Sequence, residues 1–382
     1  MRTRFAFAAL AALGLSLAPL APLAAQEASD RPVVDVVFVL DTTGSMGGLI
    51  EGAKQKIWAI VNEIAGGKPS PAIRVGLVAY RDKGDDYVTK KVELTDDLDA
   101  MYAQLMGFEA NGGGDGPEHV NEALRMGVHD MAWTPGDKVL RIVFLVGDAE
   151  PHMDYADDVK YAATCETAVK AGIVINTVRC GADATTARIW QEIADLSEGK
   201  FASIAQDGGV VAVATPFDGQ LAGLNGELNG TFVYHGSEEG RLGAKEKLDA
   251  DDRAAGAASP SAAGERAMWK ARKSAESDSS YTRGDLVTES QCEDFDPKNV
   301  KDEELPENMR SMSPEERKTY LDGLAARRAE IQKKMAEVSA ERDAFIKAEL
   351  AKRGAEKSGF DAEVFEMIKE QGAEKGIEYE DK

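Results

Sequence analysis

The chain reads as an α/β protein: a doubly wound, mostly parallel sheet followed by a helical C-terminal region. Three observations predict this. The run Val33–Leu40 is apolar with almost no alternation, which suits a central strand covered on both faces. Similar runs then alternate with helix-periodic segments as far as Leu224, the pattern of βαβ units with right-handed crossovers. Beyond Asn225 no strand-like run recurs, and one long helical pattern spans Ser313–Gly354.

In order along the chain, residues 1–25 have the make-up of a signal peptide. Arg2 and Arg4 form a basic start, Phe5–Leu17 an apolar core broken afterwards by Pro19 and Pro22, and Leu23-Ala24-Ala25 a cleavage site before Gln26. No cysteine follows that site to carry a lipid, and no other run is apolar and long enough to span a bilayer. After the first strand, Gly47–Ile64 is an amphipathic helix stopped by Gly66-Gly67-Lys68-Pro69. Ile73–Tyr80 is a strand. Tyr87–Leu94, with two lysines, suits an exposed edge strand. Asp96–Met106 is a short helix, and Pro117–Met131 a helix opened by Pro and Glu. Val139–Val146 is a buried strand, Tyr155–Lys170 a helix, Ile173–Val178 a strand, Thr185–Leu196 a helix, Phe201–Ile204 a last strand and Val210–Leu224 a closing helix.

Residues 225–312 are poor in large apolar side chains and read as a linker or loosely packed helix. An Arg283-Gly284-Asp285 triplet within them is a chance occurrence rather than a receptor motif. The region 313–382 is helical. Ser313-Pro314-Glu315-Glu316 supplies an N-cap, Pro at N1 and an acidic first turn. Leu324, Ile331, Val338 and Phe345 recur every seven residues, but Arg328 and Arg342 interrupt the companion column. Such a seam is a poor free coiled coil and predicts packing on the first domain or on a final helix, Asp361–Gln371.

The chemistry concentrates where the first strand ends. Asp41, Thr43 and Ser45 are spaced two residues apart on a strand-to-helix turn, which can aim one carboxylate and two hydroxyls at one point. That oxygen set suits a hard divalent cation. Gly112-Gly113-Gly114-Asp115-Gly116-Pro117-Glu118 and Leu145-Val146-Gly147-Asp148 would bring further carboxylates to the same edge of the sheet, where doubly wound folds bind ligands. On these three motifs residues 32–224 resemble the von Willebrand factor A (vWA) family with its metal-ion-dependent adhesion site. Asp115 stands where the family commonly has threonine.

The resemblance implies a ligand set of Asp41, Thr43, Ser45, Asp115 and Asp148, some through water. Mg²⁺ or Mn²⁺ is favoured by the neutral hydroxyls, with Ca²⁺ also compatible. Three carboxylates would hold the cation tightly and weaken its attraction for a partner's carboxylate. Tyr80-Arg81-Asp82 reads as loop scaffolding or as support behind the ligands, and His152 as a contact on the rim or with a partner.

A net charge of −22 argues against nucleic acid and anionic membrane surfaces as partners. Three cysteines leave one odd thiol. Cys165 and Cys180 lie too far from their shared turn to pair, Cys180–Cys292 stays open, and three free thiols is the default. The expected function is that of an exported, periplasmic or secreted module binding a partner protein through a divalent cation, with no stable membrane insertion once the signal is cleaved. No catalytic constellation is evident: the four histidines show neither triad nor metal spacing. One alternative is a metal-dependent hydrolase or phosphatase. A phosphatase of the haloacid-dehalogenase type also starts from a strand ending in Asp, but it needs a second Asp where Thr43 stands. The other alternative is an envelope-assembly protein acting through its C-terminal helices.

Overall fold

Strand β1 (Val33–Asp41) lies in the middle of the sheet, as its unbroken apolar run requires, with Val34, Val36, Val37 and Val39 fully buried. The computed structural model describes residues 31–114, 116–208, 213–277, 279–353 and 360–379. The segment 1–25 and the candidate ligand Asp115 fall outside that description. Among the described residues β1 is flanked in parallel by β2 (Ala72–Tyr80) and β4 (Val139–Gly147). Strand β3 (Thr89–Thr95) closes one edge antiparallel to β2, while β5 (Ile173–Cys180) and β6 (Phe201–Ile204) extend the other edge in parallel. The order β3-β2-β1-β4-β5-β6 reverses direction between β1 and β4, so the switch point of the fold lies at the carboxyl ends of those two strands.

Side chains alternate between the faces of β1. Val34, Val36, Phe38 and Leu40 join a core with α1 (Gly47–Ala65) and α2 (Leu98–Met106). Val37 and Val39 join another with α3 (Val120–His129), α4 (Tyr161–Lys170) and α5 (Ala184–Leu196). Asp97 and Asp183 cap α2 and α5 by accepting from Ala100 N and Thr186 N.

Helix α3 starts three residues later than its sequence suggests. Glu118 N donates to Glu150 O and Glu118 O accepts from His152 N, which ties the backbone to the loop after β4 instead. Helix α4 likewise starts at Tyr161, not Tyr155, because Tyr155 is held by a stack on His152 and by the bond of its hydroxyl to Asp82. The helix expected at Val210–Leu224 is displaced to α6 (Asp218–Asn229). The Asp218 carboxylate accepts from Thr215 N at 2.8 Å and holds the approach, which contains Pro216, in a turn; residues 210–212 of the expected span lie outside the description.

Residues 225–312, expected as a linker or loosely packed helix, are largely helical. They carry α7 (Glu238–Ala257) and α8 (Pro260–Lys273), and α8 packs against α1 and α6 with Trp269 buried. Few large apolar residues are needed because buried ion pairs fasten them: Arg266 to Asp99, and Lys270 to Asp251. Helix α9 (Pro314–Arg353) opens with a reciprocal cap, Ser313 N to Glu316 Oε2 and Glu316 N to Ser313 Oγ. It packs on α6 and α8 rather than on the final helix. Its two seam arginines are both buried and paired, Arg328 with Asp285 and Arg342 with Asp218. Asp285 of the Arg-Gly-Asp triplet is therefore inaccessible.

Helix α10 (Phe360–Ala373) lies on the α1 side of the sheet, with Phe360 6.1 Å from Phe38 and Gln371 exchanging hydrogen bonds with Asn176. The three cysteines are free thiols; Cys165 and Cys180 are buried and Cys292 is exposed. No described helix is long and apolar enough to cross a membrane.

Candidate metal centre

Asp41 is the last residue of β1 and is wholly buried. Its Oδ1 accepts from Thr43 N at 2.9 Å and Thr43 Oγ1 at 2.7 Å, and Thr43 Oγ1 lies 3.4 Å from Ser45 Oγ. The turn after β1 thus groups one carboxylate and two hydroxyls, as the spacing predicts. Asp41 Oδ2 is buried and has no hydrogen bond of good geometry, although the Asp148 backbone lies close enough to favour its charge. Burial pushes the Asp41 carboxyl up to about 7, against the pull of the Thr43 bonds, and the neighbouring charge of Asp148 adds to the rise.

The glycine loop lies over this turn. Gly44 N donates to Gly112 O and Asn111 N to Thr42 O. Gly112 and Gly113 have φ of +78° and +75°, which glycine alone adopts without strain. A Cβ on Gly113 would stand 3.0 Å from Glu118 Oε1 and 3.2 Å from Thr43 Cβ, so this glycine lets the Glu118 carboxyl lie alongside Thr43. Glu118 is buried with Oε2 unpartnered, and its carboxyl rises to about 9 through burial, then through the charges of Asp41, Asp82, Asp85 and Asp148. In the sequence Glu118 marks only a helix start, and the one signal for a place at the site is a carboxylate three residues after Asp115.

Asp148 follows β4 across the switch point from Asp41. Gln206, on the loop after β6, donates to its Oδ2 at 2.6 Å, and Thr186 Oγ1 to its carbonyl at 3.3 Å. Tyr80, at the end of β2, carries a buried hydroxyl without a partner, and burial together with Asp41, Glu118 and Asp148 raises its pKa well above the ordinary value. Arg81 scaffolds the neighbouring loops through Thr42 O and Glu109 O. His152 is buried, stacked on Tyr155 and bonded to Asp154.

The Asp41 and Glu118 carboxyls, each with one buried oxygen without a donor, and the Thr43 and Ser45 hydroxyls of the turn between them offer only oxygen, the donor chemistry that fits a hard divalent cation. Among the described residues no three His, Cys, Asp or Glu side chains converge on one point. A cation there would need the hydroxyls of Thr43 and Ser45 as well as carboxylates.

Residues 35–215 match the family model for the von Willebrand factor A domain. The chain is 36% identical over 120 residues to the human von Willebrand factor A domain-containing protein 7, a match covering 31% of this chain and 12% of that protein, with the same figures for its mouse counterpart. The match thus spans about an eighth of those relatives' length. Solved structures similar to this chain include proximal thread matrix protein 1 from the mussel byssus, at 16% identity and a TM-score of 0.36, covering 46% of this chain and 43% of that one. Another is the SpRpn10 VWA domain, at 12% identity and a TM-score of 0.36, covering 46% of this chain and 89% of that one.

Proposed function

We propose, from the premise that residues 35–215 form a von Willebrand factor A domain, that the chain is an exported module that binds a protein partner through a divalent cation at the carboxyl edge of its sheet. Domains of this family are generally interaction modules, which is the coarse part of the reading. The finer part rests on one observation: Asp41 and Glu118 each keep one buried carboxylate oxygen without a donor, on carboxyls that flank the turn carrying Thr43 and Ser45. A cation relieves that arrangement, because it supplies the positive charge that burial denies to both carboxylates.

Asp41, Thr43, Ser45 and Asp148 would hold Mg²⁺, or Mn²⁺ or Ca²⁺, with Asp115 and Glu118 as further carboxylates. The bound cation would offer an open position to an oxygen of the partner. The chain's own residues do the rest. The glycine loop carries Glu118 up to Thr43, and Arg81 holds the turn after β1 against the loop at Glu109. Export is supported by the basic start, apolar core and Ala-containing cleavage site of residues 1–25, which would leave a mature chain beginning at Gln26.

The test is calorimetric titration of Mg²⁺ into the mature protein and its Asp41→Ala variant, followed by partner capture from the envelope fraction with Mg²⁺ or EDTA. Saturable Mg²⁺ binding lost in Asp41→Ala, and a captured partner released by EDTA while circular dichroism is unchanged, are the expected results. A partner held equally with and without chelator would overturn the cation-bridged mechanism and point to the C-terminal helices.

A further inference from the structure

Gln206 belongs to none of the three motifs, yet its side chain joins two of them. It sits on residues 205–208, the turn that follows β6. From there Nε2 donates to Asp148 Oδ2 at 2.6 Å and lies 3.3 Å from Ser45 O. The first contact reaches the loop after β4 and the second the turn after β1, the two segments that meet at the switch point. The orientation of the carboxamide follows from chemistry: turning it over would press Oε1 against a carboxylate oxygen, acceptor against acceptor.

The loop that carries Gln206 is itself pinned. Gly181 N donates to Ile204 O at 3.0 Å, and Gly208 O accepts from Phe360 N at 3.1 Å. Gly181, with φ of +77°, leaves room for the amide; a Cβ there would overlap Gln206 Oε1. At Gly48 a Cβ would stand 2.9 Å from Asp207 Cα, so the start of α1 closes on the same loop.

We propose that Gln206 is a positioning residue of the cation site, cross-linking the Asp148 loop to the Ser45 turn and engaging Asp148 Oδ2 so that Oδ1 is the oxygen left for a cation. This rests on the cation reading above. Gln206 does not coordinate the cation, since the atom it directs at Asp148 is a donor. It acts through Asp148, as hydrogen-bonded partners of metal-bound carboxylates do.

The side chain is exposed, so replacing it should not disturb folding. The experiment measures Mg²⁺ affinity by calorimetry for the wild type, Gln206→Met (similar length, no donor) and Gln206→Ala, with the unfolding midpoint of each in EDTA. Both variants should bind Mg²⁺ about tenfold more weakly, at the low end for such partners because the contact is solvent-exposed, with midpoints unchanged. A merely structural role would move the midpoint in EDTA and not the affinity. Unchanged affinity in both variants, with the wild type binding Mg²⁺, would overturn the role of Gln206 alone. Tighter binding would also overturn it, by making the amide a competitor of the cation. A wild type that binds no Mg²⁺ would remove the cation reading and this inference together.

Discussion

Glu118 carries the sharpest consequence at the scale of single residues. Its carboxyl is buried, lies across Gly113 from Thr43, and has one oxygen without a donor. Glu118→Gln keeps the size of the side chain and removes the charge that burial and the nearby Asp41, Asp82, Asp85 and Asp148 carboxylates oppose. The metal-free variant should therefore be as stable as the wild type, within about 0.5 kcal/mol, while its Mg²⁺ affinity falls about tenfold or more. Denaturant melts in EDTA and calorimetry in Mg²⁺ separate the two effects; an unchanged affinity removes Glu118 from the site. Asp41, Thr43 and Ser45 were legible because local spacing alone brings them together. Glu118 and Gln206 were not. One depends on a loop folding back over a turn, and the other on a loop some sixty residues after Asp148 in the chain. No local pattern encodes either approach.

At the scale of elements, legibility followed how much of the information was local. The start of α9 was readable because its reciprocal cap is built from four consecutive residues. The starts of α3 and α4 were misplaced because long-range contacts, Glu118 with residues 150–152 and Tyr155 with Asp82, outweigh the helical preference of a few residues. Helix α10 was readable as a helix, but its place was not. It completes the α1 face of the sheet, with Phe360 at 1% exposure and Val364, Met367 and Ile368 all buried in the same core. Phe360→Ala should accordingly cost about 3–5 kcal/mol, the usual range for deleting a buried aromatic ring. A shift of the urea midpoint with unchanged slope would show it. A loss below about 1 kcal/mol would mean that α10 contributes little to the core it covers.

At the scale of the whole molecule, residues from Pro32 onward pack as one unit, although residues 225–312 have a composition that suggested a loose connection. Charged side chains do the joining. Asp99 of α2 meets Arg266 of α8, Arg283 meets Asp96, and Arg342 of α9 bonds both Asp218 and Glu265. These are residues that composition assigns to a solvated surface, which is why the joint could not be read from the sequence. Arg342 and Asp218 are each 1% exposed, so Arg342→Met leaves an uncompensated buried carboxylate. That should cost about 3–5 kcal/mol, and adding Asp218→Asn should recover part of the loss, because the stranded charge is then gone. The same joint fixes the cooperativity. Trp58 is buried in α1 and Trp269 in α8, on elements that pack against each other, and single-tryptophan variants retaining one or the other report the two regions separately. In the Arg342-intact background the two probes should give coincident unfolding curves, the mark of a single transition. If Trp269 is lost at lower denaturant than Trp58, the helical region unfolds on its own, and the buried ion pairs contribute attachment without making the two regions one cooperative unit.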